Sequence, residues 1–358
     1  MKRVIGRIAL VLASVVLAIG GAELAYRVRL ASAEAPDGGD EDWRQRYRRM
    51  NDTLYRRSDD PELVYEPVPE SSVEMEYGTA AFNGAGLRED RELPIETPAG
   101  RTRVAMVGDS LVWSEFVAVH DSLPRRTEEA LGERFEVMNA GVTGYDTTQE
   151  ARWYERAVRP FGPDVVVVVY CMNDIMIMSG PFEHFATGED RARKDAQDAF
   201  LEREAPVRRE TIDWVIEERE RAATFRVLAR ALGVWERARF EDEYVDEYLL
   251  FAREEDRLAR VRAALARLGG AIRADGAIPI LAISPVLEGW DRYRWSALHA
   301  FVGEAGEAAG FRVLDPIEAW RESEDPEVLR IGGDNLHYGR RGNRIFGRTI
   351  ARAIEEAL

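Results

Sequence analysis

Short, unbroken apolar runs alternate with amphipathic stretches along the last two thirds of the chain. Val104–Val107, Phe135–Asn139, Val165–Tyr170, Ile278–Ile283 and Arg312–Leu314 carry a strand pattern, being short and bounded by polar or turn-forming residues. Val165 to Val169 is a pure valine run. That is expected of a strand covered on both faces, because the branched side chains pack well on a pleated surface and neither side is left polar for water. Leu123–Leu131, Thr147–Val158, Trp295–Ala309 and Arg340–Leu358 carry the helical pattern between them. Strands separated by helices predict an α/β domain on a parallel sheet with right-handed crossovers.

Two stretches break this rhythm. Ala186 to Ala274 is charge-dense and helix-forming, with breaks near Pro206 and Gly233. Its last helix, about Glu254–Ala274, places Leu258, Val261, Leu265 and Leu268 on one face and reads as the crossover into Ile278–Ile283. The earlier part, about 186–253, reads as a helical insertion, either a lid or a solvated decoration. The other break is the N-terminus. Lys2, Arg3 and Arg7 precede an apolar stretch from Ile8 to Tyr26, interrupted by Glu23 and followed by Arg27 and Arg29. That stretch is long enough to cross a bilayer, with the basic end in the cytoplasm. It reads as a signal anchor or as a cleaved signal peptide. The small-residue site Ala31-Ser-Ala33 lies beyond two arginines, which favours the anchor. Residues 1–30 are thus expected to be a transmembrane helix, 31–100 a linker and N-terminal extension, and 101–358 the α/β domain. The expected location is the cell membrane, single-pass with the α/β domain outside the cytoplasm, or secretion after cleavage.

Composition narrows the function classes. The chain is 46% hydrophobic and 32% charged, enough for a sizeable core. A net charge of −16 argues against nucleic acid as a partner, since a phosphate backbone is bound by positive charge. The single cysteine, Cys171, rules out an intrachain disulfide and reads as a small buried hydrophobe. Arg340, Arg344, Arg348 and Arg352 recur along the last helical segment with Ile345, Ile350 and Ile354, either a solvated face or a basic strip for an anionic glycan or lipid headgroup.

Candidate chemistry sits where strands end. Gly108-Asp109-Ser110-Leu111 closes the first strand and reads either as a serine exposed at the carboxyl edge of a sheet or as a strand exit with a helix N-cap. Serine chemistry also needs a base, an acid to orient it and donors for an oxyanion. Of four histidines, His120, His184 and His299 have no acidic partner at a useful spacing, whereas His337 follows Asp334 by three residues between glycines. Asn139-Ala-Gly-Val-Thr-Gly144 and Cys171-Met-Asn173-Asp174 leave the next two strands. Glycine allows close backbone approach and asparagine supplies amide donors. Asp109 and Asp174 read as loop-holding residues. No histidine cluster suggests a metal, and no cofactor is expected.

These blocks, in this order, resemble the SGNH hydrolases, the GDSL esterase/lipase superfamily, in its membrane-anchored bacterial form. Phe82-Asn83 through Leu87-Arg88 resembles the lead-in of such members, and Cys171 stands where the third block often has glycine. The resemblance implies a flavodoxin-like three-layer α/β/α sandwich spanning 101–358. It implies a triad of Ser110 as nucleophile, His337 as base and Asp334 as orienting acid. The oxyanion hole would comprise the N–H groups of Ser110 and Gly144 and the Asn173 side chain, with added help from a helix N-terminus at Ser110. The implied activity is hydrolysis of carboxylic esters of small molecules or carbohydrates. An O-acyltransferase of envelope polysaccharide and a non-catalytic envelope protein of the same fold remain alternatives.

Overall fold

Helix α1 (Trp43–Leu54) opens the part of the chain described by the computed structural model, which comprises residues 43–176, 182–204, 247–331 and 335–358. Two short antiparallel hairpins follow: β1 (Tyr55–Arg57) with β2 (Tyr65–Pro67), and β3 (Ser72–Met75) with β4 (Gly78–Ala81). They present aromatic side chains inward, and Tyr55, Tyr65, Phe82 and Leu87 are buried. Tyr65 stacks on Phe182 at 4.3 Å between ring centres and Phe82 packs on Trp113 at 4.6 Å. Residues 43–99, read as linker and extension, therefore form a packed layer.

The main sheet comprises β5 (Thr102–Gly108), β6 (Phe135–Gly141), β7 (Val165–Tyr170), β8 (Ile278–Ile283) and β9 (Arg312–Leu314), all parallel, in the order β6-β5-β7-β8-β9. This is the flavodoxin-like order. β5 and β6 extend beyond their expected ends. β5 begins earlier because Arg103, though charged, is buried: its guanidinium pairs with Glu136 at 2.7 Å and donates to the carbonyls of Pro94, Ile95 and Phe161. A buried charge is tolerated when it is paired and its hydrogen bonds are made.

Helices occupy the positions expected between strands: α2 (Ser110–Trp113), α3 (Leu123–Leu131), α4 (Thr147–Trp153), α5 (Gly188–Glu204), α6 (Glu255–Ala274), α7 (Ser296–Ala308) and α8 (Arg340–Ala357). Helix α4 is shorter than expected because its continuation, Tyr154–Val158, widens into π turns ahead of Pro160, which has no N–H to donate. α3 packs on α8, while α6 packs on α4 and α7. Right-handed crossovers in this strand order carry the two groups to opposite faces of the sheet. On the α8 side, Phe346, Ile350 and Ile354 join Val104, Met106, Val165, Val167 and Val169 in one core. The opposite face of α8 exposes Arg340, Arg344, Arg348 and Arg352, with Arg340 paired to Asp121 at 3.0 Å. On α6, Val261, Leu265 and Leu268 are buried and Leu258 is half-buried.

The expected membrane span Ile8–Tyr26 and most of the expected insertion lie outside the described residues. Among the described residues no helix is long and apolar enough to cross a membrane.

Candidate active site

Three neighbouring strands bring the predicted residues to one edge. Gly108 pairs in register with Gly141 on β6 and Val169 on β7. Because the strands are parallel, the loops that follow all leave at the carboxyl edge, where open α/β sheets bind ligands. Asp109 turns the chain out of β5. Its Oδ1 accepts the Leu111 N–H at 2.9 Å and caps α2, and Ser110 is the first residue of that turn. The N-cap reading of Gly-Asp-Ser holds, with Asp109 as the cap, and Ser110 stands at the sheet edge but is buried rather than exposed. Gly141 makes room for the turn, since a Cβ there would overlap the backbone of Trp113. The Val142 N–H donates to the Gly108 carbonyl at 3.0 Å, tying the second loop to the serine strand. Gly144 follows at φ +76°, a left-handed conformation that glycine adopts without strain.

His337 reaches the same edge from the distant end of the chain. Ile331 N–H donates to the His337 carbonyl at 2.9 Å, Arg330 and Tyr338 form an antiparallel bridge, and the Tyr338 hydroxyl lies 2.9 Å from Ser284 Oγ just past β8. So anchored, His337 Nε2 lies 2.8 Å from Ser110 Oγ. That is within the range over which an imidazole can take a hydroxyl proton. Asp334 lies outside the described residues.

Asn173, in the short turn Met172–Ile175 after β7, donates from Nδ2 to Asp109 Oδ2 at 3.0 Å. The same Asp109 oxygen lies 3.3 Å from Ser110 Oγ. One buried carboxylate thus fixes the amide orientation of Asn173 and lies beside the serine. Burial pushes the Asp109 carboxyl up, against the Leu111 N–H, the Asn173 amide and the nearby His337. Asp174 holds its loop by accepting the Thr147 hydroxyl at 3.2 Å. Burial raises both Asp174 and Glu150 well above the usual carboxylate range, Asp174 further through Glu150 and both through Asp109 and Asp146. Cys171 is buried in an ordinary extended conformation, so a side chain in place of glycine fits without strain. Burial pushes its thiol well up, next through Asp109 and Asp174, which suits an inert group.

Two expectations need correction. α2 is only four residues long, so it has few aligned peptide dipoles to help Ser110. His299 does have an acidic partner: its Nδ1 lies 2.9 Å from Asp315 Oδ2 and its Nε2 2.7 Å from the Tyr293 hydroxyl, which also accepts the Val286 N–H. Asp315 follows His299 in the chain and is brought back by β9. Among the described residues no cluster of three or more His, Cys, Asp or Glu side chains could hold a metal ion.

Around the serine, Arg88 carries a sequence signal only through the lead-in block, and Tyr65, Glu115 and Phe116 carry none. Arg88 is buried, donates to the carbonyls of Ser114 (2.8 Å) and Val117 (2.7 Å), and lies over the Trp113 ring at 4.5 Å. The turn it clasps holds Ser114 at φ +60° and Phe116 at φ +66°, strained values for residues with side chains. Between them Glu115 is buried, with Oε2 3.6 Å from His337 Nε2, and the Phe116 ring meets the imidazole edge to face at 5.5 Å. The Tyr65 hydroxyl donates to the Thr143 carbonyl at 2.6 Å, so the N-terminal layer also clamps the Gly144 loop.

The fold, the serine edge and the paired histidine define a class that comparison with known proteins identifies. The profile of the GDSL-like lipase/acylhydrolase family matches residues 106–345. The chain belongs to that family and is a hydrolase of ester bonds. Similar solved structures include a lipase/acylhydrolase from Enterococcus faecalis (18% identity, 71% of this chain and 96% of that one, TM-score 0.41). An acetylxylan esterase from Geobacillus stearothermophilus is similar at 16% identity, over 71% of this chain and 94% of that one, with TM-score 0.43. No curated protein matches the chain.

Proposed function

We propose that the protein is a serine esterase that cleaves carboxylic esters of small molecules or carbohydrates, exported and tethered to the cell membrane by Ile8–Tyr26. Ser110 attacks the ester carbonyl while His337 takes its proton at Nε2, and Asp334 orients the imidazole. The N–H groups of Ser110 and Gly144 and the Asn173 amide hold the oxyanion. His337 then protonates the departing alcohol, and water releases the acyl group from Ser110 by the same steps in reverse. The observation that carries this reading is the 2.8 Å pairing of Ser110 Oγ with His337 Nε2 at the carboxyl edge of the sheet. Asp109 supports it by holding the Asn173 amide beside that pair. Export and tethering rest on the basic-then-apolar N-terminus.

The test is hydrolysis of p-nitrophenyl acetate by detergent-solubilised full-length protein. Turnover should vanish in Ser110→Ala and His337→Ala, and should fall as pH drops through the histidine range, about 6 to 7. Wild-type protein without turnover, or a Ser110→Ala variant with full turnover, contradicts the proposal.

A further inference from the structure

His337 meets a second acid that the proposed triad does not use. Glu115 is nearly sealed from water, its side chain 3% exposed against 16% for His337. Its Oε2 lies 3.6 Å from His337 Nε2, on the side facing Ser110, and its Oε1 accepts the Tyr47 hydroxyl at 2.8 Å. The backbone is bent to place it there. Ser114 and Phe116 on either side are both in the left-handed region, and the turn is pinned from within, the Ser114 hydroxyl donating to the Leu111 carbonyl and accepting the Leu123 N–H. Strain of this kind persists only where surrounding contacts enforce it, and it collects at functional sites. Tyr47 in turn stacks on Phe116 at 6.3 Å, so α1 touches both the acid and the ring packed on the histidine.

We propose that Glu115 is a positioning residue for ester cleavage: it holds the His337 imidazolium that forms when Ser110 gives up its proton, and Tyr47 keeps it in place. This rests on the esterase reading above. In the step concerned, the Ser110 O–H bond breaks, its electron pair forms the bond to the carbonyl carbon, and the proton moves to the Nε2 lone pair. The imidazolium keeps its positive charge until the Nε2 proton passes to the departing alkoxide. Glu115 stays a carboxylate throughout. A carboxylate a few ångströms from an imidazole stabilises the charged ring, and burial strengthens the attraction by excluding water. Among the described residues, the other titratable or charged groups facing this pair include Asp109 just past β5, Tyr47 from α1, Tyr55 from β1, Tyr77 from the β3–β4 turn, and Arg88. Burial pushes the Glu115 carboxyl up, while the His337 charge and the Tyr47 hydroxyl act to keep it ionised.

The experiment is an NMR titration of the His337 ring proton in detergent-solubilised full-length protein, assigned by its loss in His337→Gln, beside the pH profile of kcat/KM on p-nitrophenyl acetate. In Glu115→Gln the titration midpoint should fall by roughly one pH unit. The acid limb of kcat/KM should move down with it and plateau kcat should drop about tenfold. Tyr47→Phe should shift both limb and midpoint the same way but less, and Glu115→Asp should restore part of the shift. A midpoint unmoved or raised in folded Glu115→Gln overturns the proposal even if activity falls, because lost packing alone would lower activity without moving it. If Glu115→Gln does not fold, Tyr47→Phe decides, and an unmoved midpoint there overturns the proposal. An inert wild-type enzyme would sink the esterase reading, while the titration would still report whether Glu115 and His337 are coupled.

Discussion

Replacing Arg88 with methionine tests whether the N-terminal layer shapes the serine site. The substitution keeps much of the side-chain volume but removes the donors to the Ser114 and Val117 carbonyls. Two terms oppose each other. Burial pushes the Arg88 guanidinium down to about 10, roughly 3 kcal/mol held against its charge, and methionine relieves that. Against it stand two hydrogen bonds from a charged donor, about 1.5–3 kcal/mol each, and the contact over Trp113, about 1 kcal/mol. These sum to about 4–7 kcal/mol and outweigh the relief. The two buried carbonyls, left without donors, and the strained Ser114–Phe116 turn then have no clasp. The expected loss is about 3 kcal/mol, read as a lower urea midpoint from tryptophan fluorescence with an unchanged slope. Arg88→Lys should lose about half as much, since one ammonium replaces a planar fork that reaches both carbonyls. Turnover should fall further than stability, because Glu115 and Phe116 ride on the freed turn. An Arg88→Met variant within about 0.5 kcal/mol of wild type, with native turnover, would refute this reasoning.

Gly141→Ala should lose activity together with about 3 kcal/mol of stability, because the added methyl overlaps Trp113 backbone rather than a side chain that can move; urea unfolding and p-nitrophenyl acetate turnover check it. Glu150 should make the fold weaker as pH rises. Its folded pKa lies well above its ordinary value, so its contribution is full below about pH 4.5 and is lost as pH climbs through the raised folded value. Melting temperature between pH 5 and 9 should therefore decline less in Glu150→Gln than in wild type; parallel curves would contradict this.

The five sheet strands were legible because each is a short apolar run that sheet neighbours and helices must cover. Arg103 hid the start of β5, since nothing local in a sequence says that a charge will be buried against its partner. The N-terminal layer was much less legible. α1 is strongly polar, with four arginines and an aspartate among its twelve residues, and the hairpin strands are three or four residues long, too short for alternation to show. At the site, Ser110, Gly144, Asn173 and His337 could be named because each sits on a turn that a strand end or a glycine marks. Glu115 could not, although it lies only five residues past Ser110. It reaches His337 through two left-handed residues with side chains, Ser114 and Phe116, which propensity disfavours and which Arg88 enforces from another part of the chain. His299 shows the converse: its acid comes from the end of a later strand, so spacing along the chain says nothing about it.

Covalent labelling decides whether Ser110 is the nucleophile. Detergent-solubilised full-length protein is treated with a fluorophosphonate probe and the modified peptide is located by mass spectrometry. One adduct is expected, on Ser110, absent in Ser110→Ala and formed far more slowly in His337→Ala. An unlabelled wild-type protein, or an adduct that persists in Ser110→Ala, would contradict that role.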